Sequence, residues 1–305
     1  MIKSLDEFIN ITKKFNRKKV SVAVAEDENV LHSVCEANKL GLIDAILVGN
    51  KEKILSIADK IGEDISNFEI IKELNSYKAA KISVDLVSSG EANILMKGKI
   101  MTSELLKIVL DKSAGLRTER VLSHVSIFEL ETYHKLLILT DCALNIQPDL
   151  KRKADIIQNA VDVARAIGVG KPKVAILAAV EIINFDMQST LDAAILSKMV
   201  DRGQITNCVL DGPLAMDNAI DLSAAQQKGI KSEVAGDADI LVVPSLESGN
   251  ILHKTLAFLI KAKSCGIITG SKVPIIVTSR ADDFKTKLSS IALASITSSY
   301  QEANK

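Results

Sequence analysis

Residues 236–250 read GDADILVVPSLESGN, and residues 273–283 read VPIIVTSRADD. Each stretch runs a short apolar segment straight into a polar, Ser-bearing turn that opens a helical pattern. Strand handed directly to helix is half of a βαβ unit, and such units build parallel sheets covered by helices. Helix N-termini present unpaired N–H groups and a partial positive charge, so these turns suit anions. Arg280 adds a planar guanidinium that matches a pair of phosphate oxygens. Two such turns suit an enzyme that handles phosphate and a large anionic co-substrate.

The same alternation extends in both directions. Toward the N-terminus the pattern predicts strands at 19–25, 44–48, 68–71 and 93–97. Helices follow at 28–40, 51–61, 76–88 and 102–110. The rhythm changes at 121–129 and 135–140, two consecutive strand-like runs joined by LETYHK, which read as an antiparallel insertion at a sheet edge. After a helix at 149–167, a second series predicts strands at 173–178, 207–210 and 239–243. Its helices fall at 189–201, 214–220 and 250–261. A strand at 274–278 and a helix at 282–299 close the chain. The expected fold is α/β, with two parallel-sheet domains and an interdomain cleft. The expected domains are 1–140 plus 268–305, and 141–267.

Composition narrows the function. The chain has 305 residues, 47% apolar and 25% charged, enough to bury a full core in two domains. Acidic and basic residues balance at 38 each, so no basic excess recruits nucleic acid or a membrane surface. Aromatic residues are only 3%, which disfavours base stacking. No apolar run reaches membrane-spanning length. The N-terminal MIKSLDEFINITKKF reads as an amphipathic helix with a capping box of Ser4 and Glu7, not a signal peptide, so a cytoplasmic location is expected. Cys35, Cys142, Cys208 and Cys265 are scattered without a CxxC pair, which points away from disulfides and zinc.

Ligands of open parallel sheets sit beyond the carboxyl ends of the strands. The residues expected there are Lys97, Gly98 and Thr102; Asp141 and Asn145; Asp211-Gly212-Pro213; the 244–250 turn ending at Asn250; and Ser279-Arg280. Polar turns and helix caps account for many such residues without any ligand. Arg280 is different, because an arginine in a first helical turn opposes the helix dipole and is easier to understand with an anion bound. Arg117, in the GLRT turn, is a second anion anchor or a solvated loop residue. His124 and His253 either face the cleft or pack; His32 reads as solvated and Cys142 as packing. There is no GxGxxG, Walker A, GxSxG or HExxH motif. Asp186, Asp192 and Asp201 would have to supply the metal site of a metal-dependent hydroxyacid dehydrogenase, and no nucleotide loop accompanies them. No metal is expected.

Taken together, MKGKIMTSELL (96–106), GLRTERVLSHVSIFE (115–129), LTDCALNIQPDL (139–150), VLDGPLAMDNAI (209–220), VPSLESGN (243–250) and TSRADD (278–283) resemble the phosphate acetyltransferase and phosphate butyryltransferase family over nearly the whole chain. MKG, GLRT, SHV and TSRAD resemble its butyryltransferase branch most. The resemblance implies a fold like isocitrate and isopropylmalate dehydrogenases, with the active site between domains. It also implies reversible transfer of a butanoyl group between CoA and phosphate. Acetyl specificity is the alternative; a non-catalytic CoA-binding module is the third reading. The CoA thioester is a substrate, and no cofactor is expected. The family's phosphoryl-binding Ser-Arg pair maps onto Ser279 and Arg280. Its thiol-deprotonating Asp falls by spacing at Thr286, so Asp283, nearer the pair, is the candidate base. Lys97, Thr102, Arg117, His124, Asp141, Asn145 and Asn250 are the candidates for substrate contacts. A homo-oligomer and a role in fermentation and short-chain fatty acid metabolism complete the expectation.

Overall fold

The computed structural model describes residues 2–279 and 282–304. Its contacts divide the chain into two compact units. An N-terminal unit holds Leu5–Glu119 and the chain from Cys265 onward; a central unit holds Arg120–Ser264 with the residues up to Ser4.

The N-terminal unit opens with α1 (Glu7–Thr12) and continues as β1 (Lys18–Ala23), α2 (Glu28–Lys39), β2 (Ile43–Gly49), α3 (Lys51–Ile61), β3 (Glu69–Lys72), α4 (Ser76–Ser89), β4 (Ile94–Lys97) and α5 (Thr102–Val109). The central unit holds β5 (Ser123–Glu129), β6 (Leu137–Thr140), α6 (Leu150–Ala166), β7 (Lys173–Leu177), α7 (Gln188–Asp201), β8 (Val209–Leu214), α8 (Met216–Ile220), α9 (Leu222–Gln227), β9 (Ile240–Val242) and α10 (Leu246–Lys254). The chain ends with β10 (Lys263–Thr269), β11 (Ile275–Ile276) and α11 (Phe284–Ala303).

Helix starts are chemically explicit. The side chains of Asp27, Asn50, Asn75, Asp149 and Asp283 each accept a backbone N–H three residues on, satisfying one orphan donor of α2, α3, α4, α6 and α11. The N-terminal unit orders its strands β3-β2-β1-β4-β11-β10, parallel except where β10 meets β11. Chain order reverses between β1 and β4, which makes their carboxyl ends the expected ligand edge. Every residue of β4 is buried, as a central parallel strand requires. The central unit orders its strands β5-β6-β9-β7-β8; only β5 with β6 is antiparallel. Its core gathers Phe128, Leu139, Ala175, Leu214, Val234 and Leu241.

Several local expectations need correction. Asp6, not Ser4, holds the N-cap position of α1, and the Ser4 hydroxyl donates to Glu129 Oε2 at 2.8 Å. Residues 120–140, grouped by sequence with the first domain, lie in the central unit, where β6 pairs with β9. Asp211-Gly212-Pro213 lies within β8 rather than after it; β8 is the last strand of its order, where a proline costs no ladder bond. β10 was not expected, because Lys263 and Gly266 interrupt its apolar run. The helix expected at 250–261 is α10, which already begins at Leu246 and passes into a π-helical turn, Thr255–Leu259.

Candidate active site

In the N-terminal unit, β4 and β11 are parallel neighbours, with Leu95 beside Ile275 and Met96 beside Ile276. Lys97 is the last residue of β4, and the segment after β11 carries Ser279. Lys97 is 7% exposed, and its Nζ donates to the carbonyls of Gly98 and Ile100, each at 3.2 Å. A Cβ on Gly98 would stand 2.1 Å from the carbonyl oxygen of Val24, so only glycine lets the β1–α2 and β4–α5 turns approach this closely. Thr102 is the first residue of α5 and half-buried. Arg117 is exposed and bridges by its backbone to Ser271.

Ser279 is exposed, and its N–H donates to Asp282 Oδ2 at 2.7 Å. Asp283 caps α11, its Oδ1 accepting from the Thr286 N–H at 2.8 Å. Arg280 lies outside the described residues. α11 begins at Phe284, and the basic residues of its first turn are Lys285 and Lys287. Sequence reading overlooked Lys287, which is 2% exposed and donates to the carbonyls of Ser279 and Asp282, both at 2.9 Å. A signal existed: Lys287 stands on the same helical stripe as Ser290, Ile291 and Ala294, all buried.

In the central unit, Asp141 follows β6 through a cis peptide after Thr140. Its Oδ1 accepts from the N–H groups of His124 (3.2 Å), Ala143 (3.0 Å) and Leu144 (3.2 Å). Its Oδ2 accepts from Asn145 N (3.1 Å) and Nδ2 (2.6 Å). A carboxylate so surrounded by donors anchors the turn. Asn145 Nδ2 also donates to the Leu122 carbonyl at 2.8 Å, tying β5 to the same turn. His124, Asp141 and Asn145 therefore form one network, which joins the two residues expected beyond β6 to a histidine of β5.

His124 is buried in β5, its Nδ1 3.1 Å from Cys142 Sγ and 3.2 Å from Ser126 Oγ. Ser126 Oγ in turn lies 3.1 Å from His253 Nδ1. Burial pushes the His124 imidazole down to about 4; Asp141 opposes this and His253 adds to it. Burial pushes the Cys142 thiol up to about 12. The pair is thus a neutral imidazole beside a protonated thiol, the opposite of an activated cysteine nucleophile. Asn250 sits inside α10, not in a turn, and its Nδ2 donates to the Cys142 carbonyl at 3.3 Å.

Two of the three aspartates considered for a metal pair with lysines. Asp192 is buried against Lys153 Nζ at 2.6 Å and accepts from Gln188, and Asp201 pairs with Lys198 at 2.8 Å. Among the described residues no helix is long and apolar enough to cross a membrane.

Residues 52–295 match the family described as phosphate acetyl/butaryl transferase. The chain is 53% identical to phosphate butyryltransferase from Clostridium acetobutylicum, over 97% of this chain and 98% of that one. It is 48% identical to phosphate acetyltransferase from Rhizobium meliloti, over 88% of this chain and 85% of that one. Among solved structures, a branched-chain phosphotransacylase from Enterococcus faecalis V583 superposes with a TM-score of 0.81 at 33% identity, covering 92% of this chain and 99% of that one.

Proposed function

The chain belongs to the phosphate acetyltransferase and butyryltransferase family and is an acyltransferase; from that premise we propose that it transfers a butanoyl group reversibly between CoA and inorganic phosphate. Identity of 53% to a phosphate butyryltransferase, against 48% to a phosphate acetyltransferase, carries the butanoyl reading. A likeness to isocitrate and isopropylmalate dehydrogenases, a homo-oligomeric state, a cytoplasmic location and a place in fermentation belong to the same proposal.

In this proposal a phosphate oxygen attacks the thioester carbonyl of butanoyl-CoA. Phosphate is already nucleophilic at neutral pH, so the protein's task is to position it and to stabilise the oxyanion that develops. Ser279 and Arg280 hold the phosphoryl group, and Lys97 and Arg117 supply positive charge on the same unit. Collapse of the tetrahedral intermediate forms butanoyl phosphate and expels CoA thiolate. Only the reverse direction needs a base for the thiol. Asp283 takes that role and returns the proton in the forward direction, and Asp283→Asn, compared with Asp282→Asn, tests it by a parallel fall of kcat/KM in both directions. Thr102, His124, Asp141, Asn145 and Asn250 contact or shape the site for acyl-CoA.

The test is phosphate-dependent release of CoA thiol across acetyl-, propanoyl-, butanoyl- and isobutanoyl-CoA. A maximum at four carbons is expected; a maximum at two carbons replaces butanoyl with acetyl. Binding of acyl-CoA without any release would leave a CoA-binding module. Arg280→Ala should raise the apparent phosphate requirement and cut turnover, and unchanged phosphate kinetics would remove Arg280 from the mechanism.

A further inference from the structure

Lys287 stands where its charge is opposed twice. It lies in the first turn of α11, near the positive end of the helix dipole, and it is 2% exposed. An ammonium persists in such a place only when acceptors and anions surround it. Two of its three donors find carbonyls, and three aspartates face it. Nζ donates to the carbonyls of Ser279 and Asp282 at 2.9 Å each. These are the two ends of one turn, closed by Ser279 N to Asp282 Oδ2 at 2.7 Å and by Asp282 N to Ser279 O at 3.2 Å.

We propose that Lys287 is a positioning residue of the transfer reaction, holding the backbone of the Ser279 turn from beneath so that the Ser279 hydroxyl is set for phosphate. The proposal rests on the phosphate reading of Ser279 given above. Ser279 itself is exposed, and the buried ammonium ties its carbonyl to the interior face of α11. The charged groups facing Lys287 are Asp282 on the turn, Asp27 from the β1–α2 connection and Asp283 on its own helix; all three hold the proton on, while burial pushes the lysine below its ordinary value. Its charge is therefore lost at lower pH than that of a surface lysine.

The experiment compares full-length wild type with Lys287→Met, which keeps the stem and removes the donors. The expected result is a phosphate KM raised about tenfold or more, the scale of lost hydrogen bonds to a charged group, with the butanoyl-CoA KM within about twofold. Unchanged phosphate kinetics, or a fall in kcat with both KM values unmoved, overturns the inference while leaving the acyltransferase reading intact. A wild type without phosphate-dependent release overturns both. Should Lys287→Met fail to fold, the wild type decides: its phosphate KM should climb before about pH 10, ahead of ordinary lysine titration, and a flat profile refutes the role.

Discussion

Gly249 of α10 packs against Asp141 so closely that a Cβ on the glycine would stand 2.7 Å from the Asp141 carbonyl oxygen. The same Cβ would lie 3.0 Å from Cys142 Cα and 2.8 Å from Val243 Cγ2. Helix and turn are thus fitted backbone to backbone, and the Asn250 bond to Cys142 follows from that approach. Gly249→Ala should cost about 1–3 kcal/mol through overpacking, read as a lower urea midpoint. Because the displaced backbone belongs to Asp141, turnover should fall as well. A variant with wild-type midpoint and activity would show that the contact relaxes freely.

His124 predicts a pH dependence of stability. Its folded-state value is about 4 against an ordinary 6.5, so the unfolded chain takes the proton first. Stability contributed by the neutral imidazole is complete above 6.5, falls as pH drops from 6.5 toward 4, and changes no further below that. The loss amounts to roughly 3 kcal/mol at about 1.4 kcal/mol per pH unit. Urea titrations should show this slope in the wild type and a flatter one in His124→Gln. Parallel slopes in the two proteins would contradict it.

Lys153 of α6 and Asp192 of α7 form a buried pair at 2.6 Å, with side chains 7% and 9% exposed. Removing one partner strands a buried charge, so Asp192→Ala should destabilise by about 3–5 kcal/mol. The double variant Lys153→Met with Asp192→Leu should recover most of that loss. Equal midpoints for the single and double variants would show that the charge is solvated after all.

The four cysteines are buried as free thiols, with Cys35 and Cys142 pushed up to about 12, Cys208 to about 11, and Cys265 raised further, all chiefly by burial. A thiol reagent should therefore report almost nothing from the native protein and four thiols after denaturation. Fast labelling of native protein would mean that a core opens readily. The outcome also sets the background of the CoA-release assay.

Much of this protein was legible in its order of residues. The period of apolar positions separates strand from helix, and Asp27, Asn50, Asn75, Asp149 and Asp283 announce helix starts because a cap is a local contact, three residues long. The segments around Lys97, Asp141 and Ser279 were recognisable as strand ends for the same local reason. What only the tertiary structure decided is whom each polar group meets. Asp141 receives an N–H from His124 across an antiparallel pair, His253 reaches Ser126 from a distant helix, and Lys287 is buried beneath the turn that bears Ser279. Strand register and side-chain burial are set by packing between segments far apart in the chain, which local propensity does not encode. A lysine's place on a helix can be read from its spacing; that its charge is spent inside, on two carbonyls, could be learned only from the fold.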